Sequence, residues 1–214
     1  MLPLIVPAIL VNNFKELSEQ LKKVGAHFSS VQIDVIDGIF LPNKSFSERE
    51  EVNNINSEAY FELHLMVNDP IAEVASWKMA DSVTSAVFHI EADADPKKCI
   101  EAIKNNGWKA GIALNPDTPI EKIMPYADMV DEVLFMTVRP GQQGAPFVPE
   151  VLEKIKEFKK LGLSVICSAD GGINKNNIKD VVNAGAEKLY IGSAIVRADD
   201  VEAAHEELTK LVAY

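Results

Sequence analysis

The sequence predicts an α/β protein that folds as one closed (β/α)8 barrel, the TIM-barrel architecture, in a single domain spanning residues 1–214. Short apolar runs rich in β-branched residues alternate with longer amphipathic stretches, which is the order expected of parallel βαβ units. Eight such units can be counted, and α/β barrels of roughly 200 to 250 residues form one domain. No Ser/Pro-rich linker or change in composition divides the chain. An open, doubly wound sheet is the alternative architecture.

The apolar runs give the predicted strands in chain order. They cover 4–10, 30–35, 60–66, 85–90, 110–114, 132–136, 164–168 and 188–191. The first run resembles a signal sequence in its hydrophobicity, but it lacks a basic start and a cleavage site and contains Pro3 and Pro7, so we interpret it as a buried strand. Eight helices are predicted to follow the strands, among them 13–24, 95–106, 148–161 and 199–212. Gly162 and Gly185 are predicted to end helices.

Composition and charge narrow the possible partners. The chain has 47% apolar and 25% charged residues, which is typical of a soluble globular protein. Its 21 lysines and arginines against 32 aspartates and glutamates give a net charge of −11, which disfavours binding to nucleic acid. Two cysteines, Cys99 and Cys167, are too few for a disulfide framework, so we expect a reducing cytoplasm. No run reaches the ~18 residues of a membrane span. We therefore expect a small-molecule ligand, no membrane partner and a homo-oligomer.

Alternation along three predicted strands places polar side chains inside the barrel. Because residues two apart share one face of a strand, the apolar residues should meet the helices and the polar ones the lumen. The lumenal positions so predicted are Gln32, Asp34, Glu62, His64, Met66, Ser168 and Asp170. The carboxyl ends of barrel strands carry active sites, so these positions favour catalysis. Any one of them alone could instead be a hydrogen-bonded core residue.

The other histidines carry weaker signals. His89 and Glu91 end the fourth predicted strand, where a place at the barrel mouth and a structural role stay equally open. His27 and His205 fall on helical segments and are interpreted as surface residues.

Glycines follow the last two predicted strands. Gly171 and Gly172 come after the seventh strand, and Gly192 with Ser193 comes after the eighth. Exposed backbone N–H groups ahead of helices bind anions, and these two loops are where barrels commonly bind phosphate. Turn glycines are common, so either pair alone is a weak signal, and together they predict a phosphate site.

Eight ordered segments carry a family resemblance. They are PAIL at 7–10, QIDVIDGIFLPN at 32–43, ELHLMV at 62–67, FHIEA at 88–92, ALNP at 113–116, MTVRPGQQG at 136–144, DGGI at 170–173 and GSAI at 192–195. On these segments the chain resembles the ribulose-phosphate 3-epimerase family over essentially its whole length. The resemblance implies a (β/α)8 barrel that interconverts ribulose 5-phosphate and xylulose 5-phosphate by inverting one carbon.

The chemistry of inversion gives these residues roles. Moving a proton from one face of a carbon to the other needs two acid/base groups, and Asp34 and Asp170, three strand steps apart, are expected to face each other across the mouth. The resemblance further implies a divalent ion, zinc, manganese, iron or magnesium, held by Asp34, His64, Asp170 and the position of Gln32. The substrate-binding residues it implies are His64, Met66, Met136, Gly144, Gly171, Gly172, Gly192 and Ser193. For the two methionines, core packing is the alternative.

Several positions depart from the family pattern. Gln32 stands where family members have a metal-binding histidine, and its carbonyl oxygen suits magnesium or manganese better than zinc-like ions. Ala8 replaces a serine and Ile39 a histidine, while Gln142 and Gln143 replace an aromatic residue and a glycine in the loop after strand 6. Two other functions therefore remain open: a phosphosugar-binding barrel that has lost catalysis, and an epimerase for another ketose phosphate such as a hexulose 6-phosphate.

Overall fold

Eight parallel strands close into a barrel, as the sequence predicts. The computed structural model describes residues 2–46, 48–55, 57–140 and 145–213. Each strand pairs with the next in the chain, and β8 pairs with β1. The strands are β1 (Leu4–Ile9), β2 (Ser30–Ile36), β3 (Tyr60–Met66), β4 (Val83–His89), β5 (Lys109–Leu114), β6 (Glu132–Met136), β7 (Ile166–Asp170) and β8 (Lys188–Ile191). Strand β7 ends two residues later than predicted, which places Asp170 on the strand itself.

Helices connect most of the strands. They are α1 (Phe14–Val24), α2 (Pro70–Ser76), α3 (Pro96–Asn105), α4 (Val151–Lys160), α5 (Ile178–Ala184), α6 (Ser193–Val196) and α7 (Val201–Val212). Gly185 ends α5 in the left-handed conformation, and Gly162 follows α4 with φ of 67°, as predicted. Within the described residues, none of these helices is both long and apolar enough to cross a membrane.

The prediction of eight helices is wrong at two connections. The segment after β2 contains a 3-10 helix at Arg49–Asn54, and the segment after β5 contains two, at Ile120–Lys122 and Met124–Met129. In the segment after β5, Pro119 comes directly before the helix at Ile120–Lys122, and Pro125 lies in the first turn of the helix at Met124–Met129. Pro125 prevents the first of these two helices from continuing as an α-helix, because proline lacks the N–H group that would bond to the carbonyl oxygen of Glu121.

The buried side chains form two layers on either side of the sheet. Val31, Ile33 and Val35 lie in the outer cluster together with helix residues such as Leu17 and Leu21. The lumenal cluster contains Val6, Ala8, Val87, Ala113, Leu134, Met136, Val138 and Tyr190. The strand alternation inferred from the sequence is therefore confirmed, and it fixes which polar side chains point into the lumen.

A buried ionic cluster fills the amino-terminal end of the lumen. Glu62, Glu132 and Lys188 are only 7%, 5% and 7% exposed. The Lys188 ammonium lies 3.0 Å from Glu132 Oε2 and also binds Glu62, and the Tyr190 hydroxyl lies 2.8 Å from a carboxylate oxygen of each glutamate. Ser168 donates to Glu132 at 2.6 Å. Glu62 and Ser168, predicted to be lumenal, thus belong to this cluster and not to the opposite, carboxyl-terminal end.

This cluster is expected to make the fold sensitive to alkali. Burial raises the pKa of Tyr190 well above its usual 10.0. Burial alone would lower the pKa of Lys188, but the charges of Glu132 and Glu62 outweigh burial and raise it above 10.5. Groups with raised pKa values stabilise the fold below their unfolded pKa, and that contribution is lost as the pH rises through the folded value. The free energy of unfolding, measured in urea, should fall above about pH 10. A Tyr190→Phe variant should show a shallower fall, and an identical fall would exclude Tyr190 as a cause.

Candidate active site

Three strands bring two carboxylates and an imidazole together at the carboxyl-terminal end of the lumen. Asp34 on β2 is in register with His64 on the adjacent β3, and Asp170 ends β7. His64 Nδ1 lies 3.1 Å from Asp34 Oδ1 and 3.3 Å from Asp170 Oδ2. One ligand atom from each of the three residues lies within 4.8 Å of the others. The group is therefore compact enough to surround a single small ion.

Gln32 joins the two carboxylates. Its side-chain amide nitrogen donates to Asp34 Oδ1 at 3.0 Å and to Asp170 Oδ2 at 2.7 Å, and the residue is 1% exposed. Asp34 and Asp170 come from strands separated by β8 and β1, yet their oxygens converge on the same amide. The narrow lumen of an eight-stranded barrel explains this convergence, since inward side chains from opposite walls meet near the axis.

The cluster shifts the proton affinities of its members. Burial raises the pKa of Asp34, and the nearby charge of Asp170 acts in the same direction, while hydrogen bonding with His64 opposes the change. Burial lowers the pKa of His64, but hydrogen bonds to Asp170 and Asp34 outweigh burial and raise it to about 9. The site thus favours a positive charge between two acidic groups.

The donor set fits a divalent cation. Two carboxylates and one imidazole nitrogen supply ligand types common to manganese, iron and zinc sites, with two negative charges to balance the ion. Rotation of the Gln32 amide by half a turn would present its carbonyl oxygen in place of the nitrogen, which adds a ligand suited to harder ions. The metal-ligand residues expected from the sequence are therefore assembled in one place.

His89 and Glu91 extend the cluster away from the pocket. His89 is fully buried, with its Nε2 2.9 Å from His64 Nε2, and its Nδ1 lies 3.2 Å from Glu91 Oε2. Burial lowers the pKa of His89. Burial opposes ionisation of Glu91, but hydrogen bonds from His89 and Thr118 lower its pKa. The sequence leaves the role of this pair open, since its only signal is two polar residues, two positions apart, where the fourth strand ends.

A cavity of about 460 Å³ lies above the carboxylates. Asp34, His64 and Asp170 line it together with Met66 and Met136, and the glycine pairs expected to bind phosphate line it as well. The first glycine pair is Gly171 with Gly172, and the second position is Gly192 with Ser193. Gly144, the remaining expected contact, lies outside the described residues. Asn12, Gln20 and Arg197 also line the cavity and were not found from the sequence, because no motif marks them.

The loop after β7 requires glycine. Gly171 and Gly172 have φ angles of 113° and 64°, in the left-handed region that side chains disfavour. A Cβ atom at either position would also meet the side chain of Val138. These glycines bring the backbone close to the cavity directly after Asp170.

Ile39 stands where the family resemblance implies a histidine. Its side chain is 75% exposed and is not among the residues that line the cavity.

The site can be compared with known proteins. A model of the ribulose-phosphate 3-epimerase family matches residues 4–196 of this chain. The chain belongs to this family. Ribulose-phosphate 3-epimerase from Bacillus subtilis strain 168 is 35% identical over 214 residues, covering 95% of this chain and 97% of that protein. The Escherichia coli K12 enzyme of the same name is 32% identical over 212 residues, covering 96% and 94%. Family membership makes the protein an isomerase of the epimerase class.

Solved structures resemble the barrel at low sequence identity. 3-Hexulose-6-phosphate synthase from Salmonella typhimurium has a TM-score of 0.72 at 15% identity and covers 100% of this chain and 99% of its own. KGPDC from Streptococcus mutans has a TM-score of 0.73 at 14% identity, with 100% of this chain and 98% of that chain covered. At such identities these likenesses establish the fold alone, and they agree with the closed barrel of this family member.

Proposed function

We propose that this protein inverts C3 of a ketose phosphate, interconverting D-ribulose 5-phosphate and D-xylulose 5-phosphate. The observation that carries the proposal is the pair of carboxylates, Asp34 and Asp170, in a buried cluster below a cavity that ends at the glycine loops. The relatives at 32–35% identity are named for this reaction. A carbohydrate of five carbons with one phosphate is small enough for a cavity of about 460 Å³.

The two carboxyl groups divide the proton transfers. The ionised carboxylate of Asp170 removes the C3 proton, the C2 carbonyl oxygen gains the negative charge, and a 2,3-enediolate forms. The protonated carboxyl of Asp34 then donates its proton to the opposite face of C3, and the carbonyl is restored. Without a cation, burial and the charge of Asp170 raise the pKa of Asp34, which favours its protonated form. After one turnover the two groups have exchanged protonation states, and the reverse reaction or proton exchange with water resets them.

The remaining side chains bind and orient the substrate. Asp34, His64, Asp170 and Gln32 would hold a divalent cation, which when bound would supply positive charge to offset the negative charge that develops on the substrate. Met66 and Met136 form an apolar wall that excludes water from the reacting carbon. Backbone N–H groups of Gly171, Gly172, Gly192 and Ser193 bind the phosphate, with Gly144 as a further contact.

The cellular compartment and the oligomeric state are also part of the proposal. Cys99 and Cys167 are both free and buried, which is compatible with a reducing cytoplasm. We also propose that the protein is a homo-oligomer, which sedimentation velocity of the purified protein can test.

Deuterium exchange tests this function directly. Purified protein incubated with ribulose 5-phosphate in D2O should introduce deuterium at C3, as followed by NMR, and added divalent cation should restore exchange after chelation. Exchange under none of the metal conditions would reject the epimerase function and favour a binding barrel. Exchange that persists after thorough chelation would reject the role of the cation. A parallel reaction with a hexulose 6-phosphate separates the five-carbon from the six-carbon substrate.

A further inference from the structure

A chain of side chains runs from the carboxylate cluster to the loop after β5. His64 and His89 have nearly parallel rings, inclined by 20°, and their Nε2 atoms lie 2.9 Å apart. The other ring nitrogen of His89 faces Glu91 Oε2 at 3.2 Å. Phe40 covers His89 with its ring centroid 5.0 Å away. The distances are those of hydrogen bonds throughout, so each ring nitrogen has a defined partner.

Proton counting fixes the direction of these bonds. Two nitrogens at hydrogen-bond distance share one proton, so one imidazole donates and the other accepts. A carboxylate only accepts, so Glu91 requires a proton on Nδ1 of His89. Nε2 of the neutral His89 ring then carries the lone pair. His64 must therefore donate through Nε2. Its Nδ1 faces Asp34 and Asp170, and because these carboxylates also only accept, Nδ1 carries a second proton when no cation is bound. A cation bound between the two carboxylates would replace that second proton and leave the one on Nε2.

We infer that Glu91 and His89 are positioning residues that hold the proton of His64 on Nε2 and so present its Nδ1 lone pair to a divalent cation between Asp34 and Asp170. The inference rests on the proposed function for the identity of the bound group. It assigns a role to two residues that lie outside the proposed contacts with substrate or cation. Hydrogen bonds from a metal-bound imidazole to outer partners fix its tautomer and strengthen it as a ligand.

Glu91 is itself held in one orientation. Its Oε1 accepts the backbone N–H of Asn115 at 2.9 Å and the hydroxyl of Thr118, which leaves Oε2 for His89. Lys154 on α4 donates to the carbonyl oxygens of Pro116 and Thr118 at 2.5 and 2.6 Å and fixes this loop. The carboxylate therefore cannot turn away from His89 without breaking contacts on its other side.

The variant Glu91→Gln should reverse the whole chain of protons. The Asn115 N–H only donates, so the single amide oxygen of the glutamine must face it, and the NH2 group then faces His89 Nδ1. That nitrogen becomes an acceptor, the ring proton moves to His89 Nε2, and His64 is left with its proton on Nδ1. A protonated Nδ1 cannot bind a cation. The substitution keeps the size of the side chain, so the packing around it is preserved.

Nitrogen-15 NMR of the zinc-loaded wild-type protein tests the assignment without substrate. The chain has four histidines, so the signals are assigned with a protein that carries both His27→Gln and His205→Gln and retains only His64 and His89. The expected spectrum shows His64 bound to zinc through Nδ1 and protonated at Nε2, with His89 protonated at Nδ1. A proton on Nδ1 of His64, or on Nε2 of His89, would overturn the inference whatever the behaviour of any variant.

Zinc affinity, measured by competition with a chelator, gives the second readout. Glu91→Gln should bind zinc about 10- to 100-fold more weakly, with the His89 proton moved to Nε2 in the NMR spectrum. Asp117→Asn is the matched control, because it removes a negative charge from the same loop at a side chain that pairs with Arg139 instead. Unchanged zinc affinity in Glu91→Gln, or zinc that fails to bind the wild type, would overturn the inference. Deuterium exchange at C3 judges the epimerase function separately, so the two failures are distinguishable.

Discussion

Asp170→Asn is expected to lower kcat/KM for C3 epimerisation by about 10²- to 10⁴-fold, which is the usual contribution of a positioned acid or base. The amide keeps the shape of the side chain and can still accept the hydrogen bond from Gln32, but it cannot take a proton from C3. Asp34→Asn should cause a loss of similar size, because the proton returned to the other face would have no donor. Steady-state kinetics with a coupled assay for xylulose 5-phosphate gives the measurement.

The controls for these variants separate chemistry from folding. Asp128→Asn removes an exposed carboxylate that does not line the cavity and should leave the rate unchanged. Circular dichroism of both active-site variants should match that of the wild type at the assay temperature, which shows that the fold is retained. Either variant retaining full activity would remove that residue from the proposed mechanism.

Lys188→Met is expected to lower the free energy of unfolding by about 3–5 kcal/mol, the usual cost of removing one partner from a buried ion pair. The ammonium is bonded to both Glu62 and Glu132 in the sealed end of the lumen. Its loss leaves two carboxylates close together in a site with little access to water. Urea denaturation at neutral pH measures the change.

A compensated variant tests the physical reason for that loss. Combining Lys188→Met with Glu62→Gln and Glu132→Gln removes all three charges and should recover most of the lost stability. Lys210→Met, which breaks an exposed pair with Glu206, should change the free energy of unfolding far less, because water and salt screen that pair. A Lys188→Met protein as stable as the wild type would contradict the stabilising role of the cluster.

The barrel and its lumenal positions could be predicted because strand geometry is local. Side chains alternate with period two, so Gln32, Asp34 and His64 could be assigned to the lumen from their apolar neighbours alone. The 3-10 helices after β2 and β5 were missed because the hydrophobic pattern there does not distinguish a short turn from a helix.

Which polar residues meet depends on register, and the sequence does not reveal register directly. Glu62 and His64 lie two residues apart on β3, yet the first belongs to the ionic cluster with Lys188 and the second to the carboxylate cluster. The contacts of His89 with His64, and of Glu91 with Asn115 and Thr118, likewise join separate strands and loops. Such contacts follow from the closed barrel and could not be predicted from spacing along the chain.

The origin of the proton in the product tests the central claim most directly. The reaction is started with protiated ribulose 5-phosphate in D2O and stopped early, and both sugars are analysed by NMR at C3. If one carboxyl group removes the proton and the other supplies its replacement, xylulose 5-phosphate will carry deuterium from its first appearance while the remaining substrate stays protiated. Product that retains the original hydrogen would mean that a single group carries it between the faces, and the assignment of separate roles to Asp34 and Asp170 would be wrong.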